Sequence, residues 1–393
     1  MKRYDSLDSI RGFASFSVVI SHMLITFPIF FSFISLEPSQ TFSWESVLTF
    51  SPLHLFWAGH EAVILFFILS GFVLSLPYLE GKTIFYRQYI IKRFFRIYIP
   101  FIVIIFISII LQFIFRHSIG INGLSVWFNE MWAGTIDFKT LLHLIFMSGE
   151  YTHNYDTVVW SLVHEMRISI FFPFIALFIK KNSIFKNFAF LFILLMINFV
   201  LPNSLPYKLD GTLYYLIYFV IGAILAKHRN ELIRLASWFN SPMKISLFVI
   251  ALILYNWNWN LGLFIHEKGL IWKLFNYSRI IDMSVAVGTS IIFILVLSSN
   301  RLERALSRPI PLFLGKISYS LYLIHPIVLL TLMYSLHDLL NPVLIVVLVP
   351  FMSLLLSTLY YKYIELPSMK MGKVIASKFQ NDVPNNMIKR DVI

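Results

Sequence analysis

Arg11 and His22 stand eleven residues apart. In an α-helix that separation is three turns plus about 20°, so both side chains share one face about 16 Å apart. Ser15 and Val18 lie between them on the same face. A guanidinium near the end of an apolar helix suits a phosphate. An imidazole at membrane depth is affordable when neutral, and that form acts as a general base. Each residue also has a plainer reading, Arg11 as a snorkelling anchor and His22 as a hydrogen-bonded core histidine. A second segment, Trp160-Ser161-Leu162-Val163-His164-Glu165, puts Ser161 and Glu165 at i, i+4 on one face. A carboxylate at membrane depth needs a partner, and the expectation is that Glu165 reaches the mid-membrane level of His22. A His22–Glu165 or His22–Ser161 contact would follow, with an interhelical polar clamp as the alternative. Ser318, Tyr322 and His325 form a third polar stripe at i, i+4, i+7, where plain packing competes with a direct role for His325. His60 and Glu61 are expected at the outer rim of their segment, and Arg279 with Asp282 as an i, i+3 pair. Arg93 and Arg96 read first as topology anchors and second as a phosphate-binding patch, and Arg167 has no assigned role.

The elements that must position these residues are helices in lipid. Of 393 residues, 58% are hydrophobic and only 13% charged, about half the charge of a soluble domain. Forty Phe and nineteen Tyr can be hidden only if lipid replaces water around most of the surface. The fold class is therefore an all-α integral membrane protein. Ten apolar segments of roughly spanning length run near 10–34, 60–79, 94–115, 157–179, 185–202, 211–226, 243–264, 280–298, 309–333 and 341–363. With the N-terminus inside, 25 of the 32 lysines and arginines fall on the inner side, so both termini are expected in the cytoplasm. The net charge of +12 is thus a topology signal and gives no support for nucleic acid. The first segment is too long for a signal-peptide core and carries Arg11 and His22, so it is expected to stay as a helix. In the long outer connection, 116–156, Leu141, Leu142, Leu144 and Ile145 suggest a helix at the interface.

The absence of cysteine excludes disulfides, thiolate metal sites and a cysteine nucleophile. No P-loop, GxSxG elbow, HExxH or dinucleotide fingerprint is present, and the histidines have no metal-ligand spacing, so no metal is expected.

Five stretches, taken in order, resemble the membrane acyltransferase-3 family, integral-membrane enzymes that O-acylate bacterial surface glycans. Leu7-Asp8-Ser9-Ile10-Arg11-Gly12 with His22 is similar to the family's opening motif. Gly59-His60-Glu61-Ala62-Val63 runs into Phe66-Phe67-Ile68-Leu69-Ser70-Gly71-Phe72, which resembles its second-helix signature. Arg93-Phe94-Phe95-Arg96-Ile97 with Pro100, and Trp160-Ser161-Leu162 with Glu165, match two more. The last runs from Leu314-Gly315-Lys316-Ile317-Ser318 through Tyr322 and His325-Pro326, with Glu365-Leu366-Pro367 closing it. The resemblance implies a stand-alone acyltransferase domain over 1–368 without a fused SGNH domain, followed by a disordered cytoplasmic tail, 369–393, in a multi-pass protein of the bacterial cytoplasmic membrane. It implies acyl transfer, foremost acetyl, from acyl-CoA as co-substrate to a hydroxyl of a cell-surface polysaccharide or lipid-linked saccharide. No permanently bound cofactor is implied. Arg11, helped by Arg93 or Arg96, would meet the coenzyme phosphates, and the thin arm would run past Ser15 to His22. His22 would take the acceptor's proton or carry the acyl group, with direct transfer preferred. Glu165 would orient His22, and Ser161 and Tyr322 would hydrogen bond the oxyanion or acceptor. His325, His60 and Glu61, with Glu150 and His153, would line the acceptor side. The competing class is a transporter or flippase, for which inverted repeats would be the mark.

Overall fold

In the computed structural model, residues 4–34, 43–116, 120–200, 205–260 and 278–379 are described. Among them the chain is helical and contains no strand, because a span in lipid must satisfy its backbone groups internally. The principal helices are α1 (Asp5–Ile25), α2 (Pro28–Ile34), α3 (Gly59–Leu79), α4 (Tyr86–Phe115), α5 (Val159–Lys181) and α6 (Ile184–Val200). They continue with α7 (Leu209–Ser237), α8 (Ser241–Tyr255), α9 (Ser278–Ser298), α10 (Pro309–Leu336), α11 (Pro342–Tyr360) and α12 (Leu366–Lys378). Seven of the described helices are long and apolar enough to cross a membrane: α3, α4, α5, α7, α9, α10 and α11. The protein is an all-α polytopic membrane protein, and its outward apolar side chains, such as Phe113 and Phe185, are exposed as lipid-facing residues are. At the remaining three of the ten expected positions stand the bent pair α1–α2 and two shorter apolar helices, α6 of 17 residues and α8 of 15. Part of the expected 243–264 segment, 261–264, lies outside the described residues.

The first apolar segment is not one straight helix. α1 and α2 meet at 114°, since Pro28 has no N–H to continue the ladder. The carbonyls released there are satisfied from another element: Ser125 Oγ donates to Ile25 O at 2.7 Å and Ser125 N to Thr26 O at 2.8 Å. His22 consequently sits in the last turn of α1, just before the bend.

α10 is the most enclosed helix, and α1 lies against it where neither carries a side chain. A Cβ on Gly12 would lie 2.4 Å from Gly315 N, and one on Gly315 2.5 Å from Asp8 O. α3 and α7 meet in the same way, a Cβ on Gly71 falling 2.1 Å from Phe219 O and one on Gly222 2.0 Å from Ile68 O. Small residues let lipid-embedded backbones approach and gain packing contacts that water would otherwise have to drive.

In the long connection before α5 a helix runs over Phe138–Ile145, its first turn capped by Asp137 Oδ1 accepting from Thr140 N at 2.7 Å. The connection around it is tied down by Gln112, which donates to Trp132 O and Gly134 O, and by Arg167. Arg167 Nη1 donates to Tyr207 O at 2.8 Å, and Nη2 to Ser148 O at 2.8 Å and Met147 O at 3.2 Å. Its role is thus a clip joining two loops to α5. The Arg279–Asp282 pairing is replaced: Asp282 binds His60 and Tyr214, and Arg279 lies over the Phe199 ring at 5.3 Å. The first part of the segment expected as a disordered tail, 369–378, is helical. Residues 369–378 belong to α12, where a Cβ on Gly372 would be 2.7 Å from Phe95 Cβ and Ser368 Oγ donates to Phe95 O. Residues 380–393 lie outside those described.

Candidate active site

A cavity of about 580 Å³ opens between α1, α3, α4, α5, α10 and the α11–α12 junction. Its mouth is charged, with Arg11, Lys92, Arg96 and Lys316 set beside Asp8 and Glu365. This basic end is where the N-termini of α1, α4 and α10 gather.

α1 presents Arg11, Ser15 and His22 to α10, and the polar stripe of α10 answers it. Arg11 Nε donates to Ser318 Oγ at 2.8 Å, its Nη2 approaches Gly315 O at 3.3 Å and Asp8 Oδ1 at 3.2 Å, and its guanidinium lines the mouth. Ser15 also lines the cavity, with its hydroxyl donated to Ser318 O at 3.0 Å. Arg96 lines the mouth with one amino group 3.8 Å from Met369 Sδ. Arg11 and Arg96 are therefore the two guanidinium groups at the charged end of the cavity.

Arg93 is not placed so. It is buried, its Nη2 lies 2.7 Å from Glu165 Oε1, and its Nε and Nη2 reach Ser169 Oγ at 3.1 and 2.8 Å. Ser70 Oγ donates to the same Glu165 oxygen at 3.4 Å. The expected His22–Glu165 contact is corrected accordingly: Glu165 is the counter-ion of Arg93 on the cavity wall. A buried guanidinium left without that carboxylate would be costly.

His22 has a different partner. Its Nδ1 lies 3.0 Å from His325 Nε2, and His325 Nδ1 lies 3.0 Å from Leu321 O. A carbonyl only accepts, so His325 carries its proton on Nδ1 and, when neutral, accepts at Nε2. His22 Nδ1 is then the donor, and the lone pair of His22 Nε2 is left as the base. His325 thus orients His22 instead of lining a substrate surface, and it is fully buried. The His22 ring lies 4.9 Å from that of Trp127, which is 6.1 Å from His153. Burial holds the His153 imidazole below its usual value, against the raising pull of Glu130 at 3.6 Å.

Ser161 and Tyr322 line the cavity and bond each other, Oγ to Oη at 2.9 Å, while Ser161 Oγ also donates to Val158 O at 2.9 Å. Neither Ser161 nor Glu165 is among the hydrogen-bonding partners of His22. His60 and Glu61 lie away from the cavity, at the start of α3, level with Ser21 of α1, whose Oγ a Cβ on Gly59 would approach to 2.6 Å. His60 Nε2 lies 2.6 Å from Asp282 Oδ1, and Glu61 Oε1 accepts from Trp259 Nε1 at 2.7 Å.

Glu365 was not picked out as a site residue. It is 3% exposed, accepts from Ser320 Oγ at 2.6 Å and lines the mouth beside Arg11 and Arg96. A π-helical turn, Tyr361–Glu365, sets it there, and such turns recur at functional sites. The only mark in the sequence is the Glu365-Leu366-Pro367 motif. Among the described residues, no group of three or more His, Asp or Glu is placed to hold a metal.

No curated protein and no solved structure matches the chain. A family model described as an acyltransferase domain, that of the acyltransferase-3 family, matches residues 4–362, nearly the whole chain. The chain belongs to that family and is an acyltransferase.

Proposed function

We propose that the protein transfers an acyl group, foremost acetyl, from acyl-CoA at the basic end to a hydroxyl of a cell-surface polysaccharide or lipid-linked saccharide at the opposite end. In this reading it is a multi-pass protein of the bacterial cytoplasmic membrane with both termini in the cytoplasm. One observation carries the reading: a single face of α1 holds Arg11 at a charged cavity mouth and, eleven residues on, a histidine whose hydrogen bonds leave Nε2 as a base.

Coenzyme phosphates would meet Arg11 and Arg96, with Lys92 and Lys316 adding to the field. The arm would follow the cavity past Ser15. At its end the acceptor O–H gives its proton to His22 Nε2 as the oxygen attacks the thioester carbonyl. The C–S bond breaks, and the imidazolium returns the proton to the departing thiolate. His325 holds the ring for both steps.

The test is His22→Ala in a correctly inserted protein, with acyl esters on the surface polysaccharide weighed by mass spectrometry. Loss of the ester is expected, and retained ester would reject the assignment. Arg11→Ala should raise the acyl-CoA concentration needed for transfer, and an unchanged dependence would return Arg11 to an anchor.

A further inference from the structure

We propose that Tyr322, latched to Ser161, closes the cavity against the His22–His325 pair, and so determines that the enzyme transfers its acyl group to a glycan hydroxyl without losing it to water. The proposal deepens the acyl-CoA reading and rests on it.

Along four helices the last lining residue toward the His22 end is Ser15 on α1, Val63 on α3, Ser161 on α5 and Tyr322 on α10. His22 and His325 do not line it. One turn further on α1, α5 and α10 stand Val18, Val158 and His325, all buried and none lining the cavity. Tyr322 stands across the gap. On one side its ring meets Phe66 edge-on at 5.5 Å, and on the other it lies 6.2 Å from the His325 ring. Its hydroxyl is fixed at 2.9 Å from Ser161 Oγ and 3.4 Å from Val158 O.

A thioester in the cavity and the His22 base are therefore separated by one phenol ring held by hydroxyl contacts. The acyl end of an incoming arm must displace that ring to reach His22. Until it does, water admitted from the opposite end finds the base and no thioester. With the latch weakened, the side reaction becomes open: a water oxygen attacks the carbonyl, the C–S bond breaks, and the free thiol and acetic acid leave, the acid then releasing its proton to solvent. His22 would pass the proton from water to the thiolate.

The experiment needs no glycan. The purified full chain in lipid nanodiscs is given acetyl-CoA, and released thiol is read with a disulfide dye. The chain has no cysteine of its own, so all the colour comes from the coenzyme. Tyr322→Phe keeps the ring and removes the hydroxyl, and Ser161→Ala keeps the tyrosine and removes its partner. One lost hydrogen bond should raise the open population, and hence acetyl-CoA hydrolysis, about tenfold in each variant. Binding of CoA itself is followed by calorimetry in parallel, so that each hydrolysis rate is compared at saturating coenzyme. Adding His22→Ala to Tyr322→Phe should return hydrolysis to the wild-type rate, because the water is activated beyond the ring. Hydrolysis at the wild-type rate in both single variants, with CoA binding intact, would overturn the proposal. A wild-type protein that does not bind CoA would overturn the acyl-CoA reading, and this inference with it. If Tyr322→Phe does not fold, Ser161→Ala reads the same latch with the ring in place.

Discussion

Arg93 and Glu165 are each too expensive to bury alone, and the 2.7 Å contact between them explains why both are tolerated on a cavity wall inside the bundle. Removing one partner should be worse than removing both. Glu165→Ala strands the guanidinium and should cost about 3–5 kcal/mol, whereas the double replacement of Arg93 and Glu165 by methionine should lower the melting temperature in detergent less than Glu165→Ala alone. A second prediction concerns His325. If it acts on His22 by accepting its Nδ1 proton, His325→Gln can still accept through its amide oxygen and should keep most of kcat. His325→Leu cannot, and should lose about tenfold or more, with the KM for acyl-CoA nearly unchanged. A merely packing role would rank leucine at least as high as glutamine. The polar stripes on α1, α5 and α10 were all legible in the sequence, because helical periodicity says which residues share a face. The partner of His22 was not. Periodicity does not say which helices adjoin, and in the last turn of α1 the partner of His22 is His325 of α10, while Glu165 is taken by Arg93 of α4.

At the level of whole helices, the glycines decide how closely the site can be assembled. Gly12 and Gly315 bring the Arg11 face of α1 onto Ser318, and Gly71 with Gly222 locks α3, which carries Phe66 and Ser70, to α7. Gly71→Ala places a methyl 2.1 Å from a backbone carbonyl that cannot rotate away. The helices must separate, and such overpacking typically costs about 1–3 kcal/mol. The expected outcome is a lower melting temperature in detergent, with transfer falling in parallel because the cavity wall moves with α3. An unchanged melting temperature would mean that the α3–α7 contact is looser than the geometry describes. The apolar spans themselves were easy to read, since lipid demands long uninterrupted runs. The π-turn at Tyr361–Glu365 was not, for it adds one residue to a continuous helix and leaves no trace in hydropathy. That turn brings Glu365 to the mouth beside Arg11 and Arg96, and the closing motif marks the residue in the sequence without giving the turn that places it.

For the molecule as a whole, the proposed chemistry depends on orientation, because a coenzyme-side mouth and a glycan-side base must face different compartments. The distribution of basic residues, 25 of 32 on one side, is what argues for the mouth facing the cytoplasm. The native absence of cysteine makes this directly measurable, since any single introduced thiol is the only one present. Lys139 is exposed on the connection between α4 and α5, and Lys181 is exposed at the end of α5 on the side of the mouth. In intact cells a membrane-impermeant maleimide should label Lys139→Cys and leave Lys181→Cys untouched until the membrane is permeabilised. The reverse pattern would put Arg11 and Arg96 on the outer side, away from any cytoplasmic acyl-CoA. The donor half of the proposed function would then fall, even though the cavity, the Tyr322 latch and the oriented His22 would be unchanged. Orientation thus separates what the fold makes chemically feasible from what the cell can supply to it.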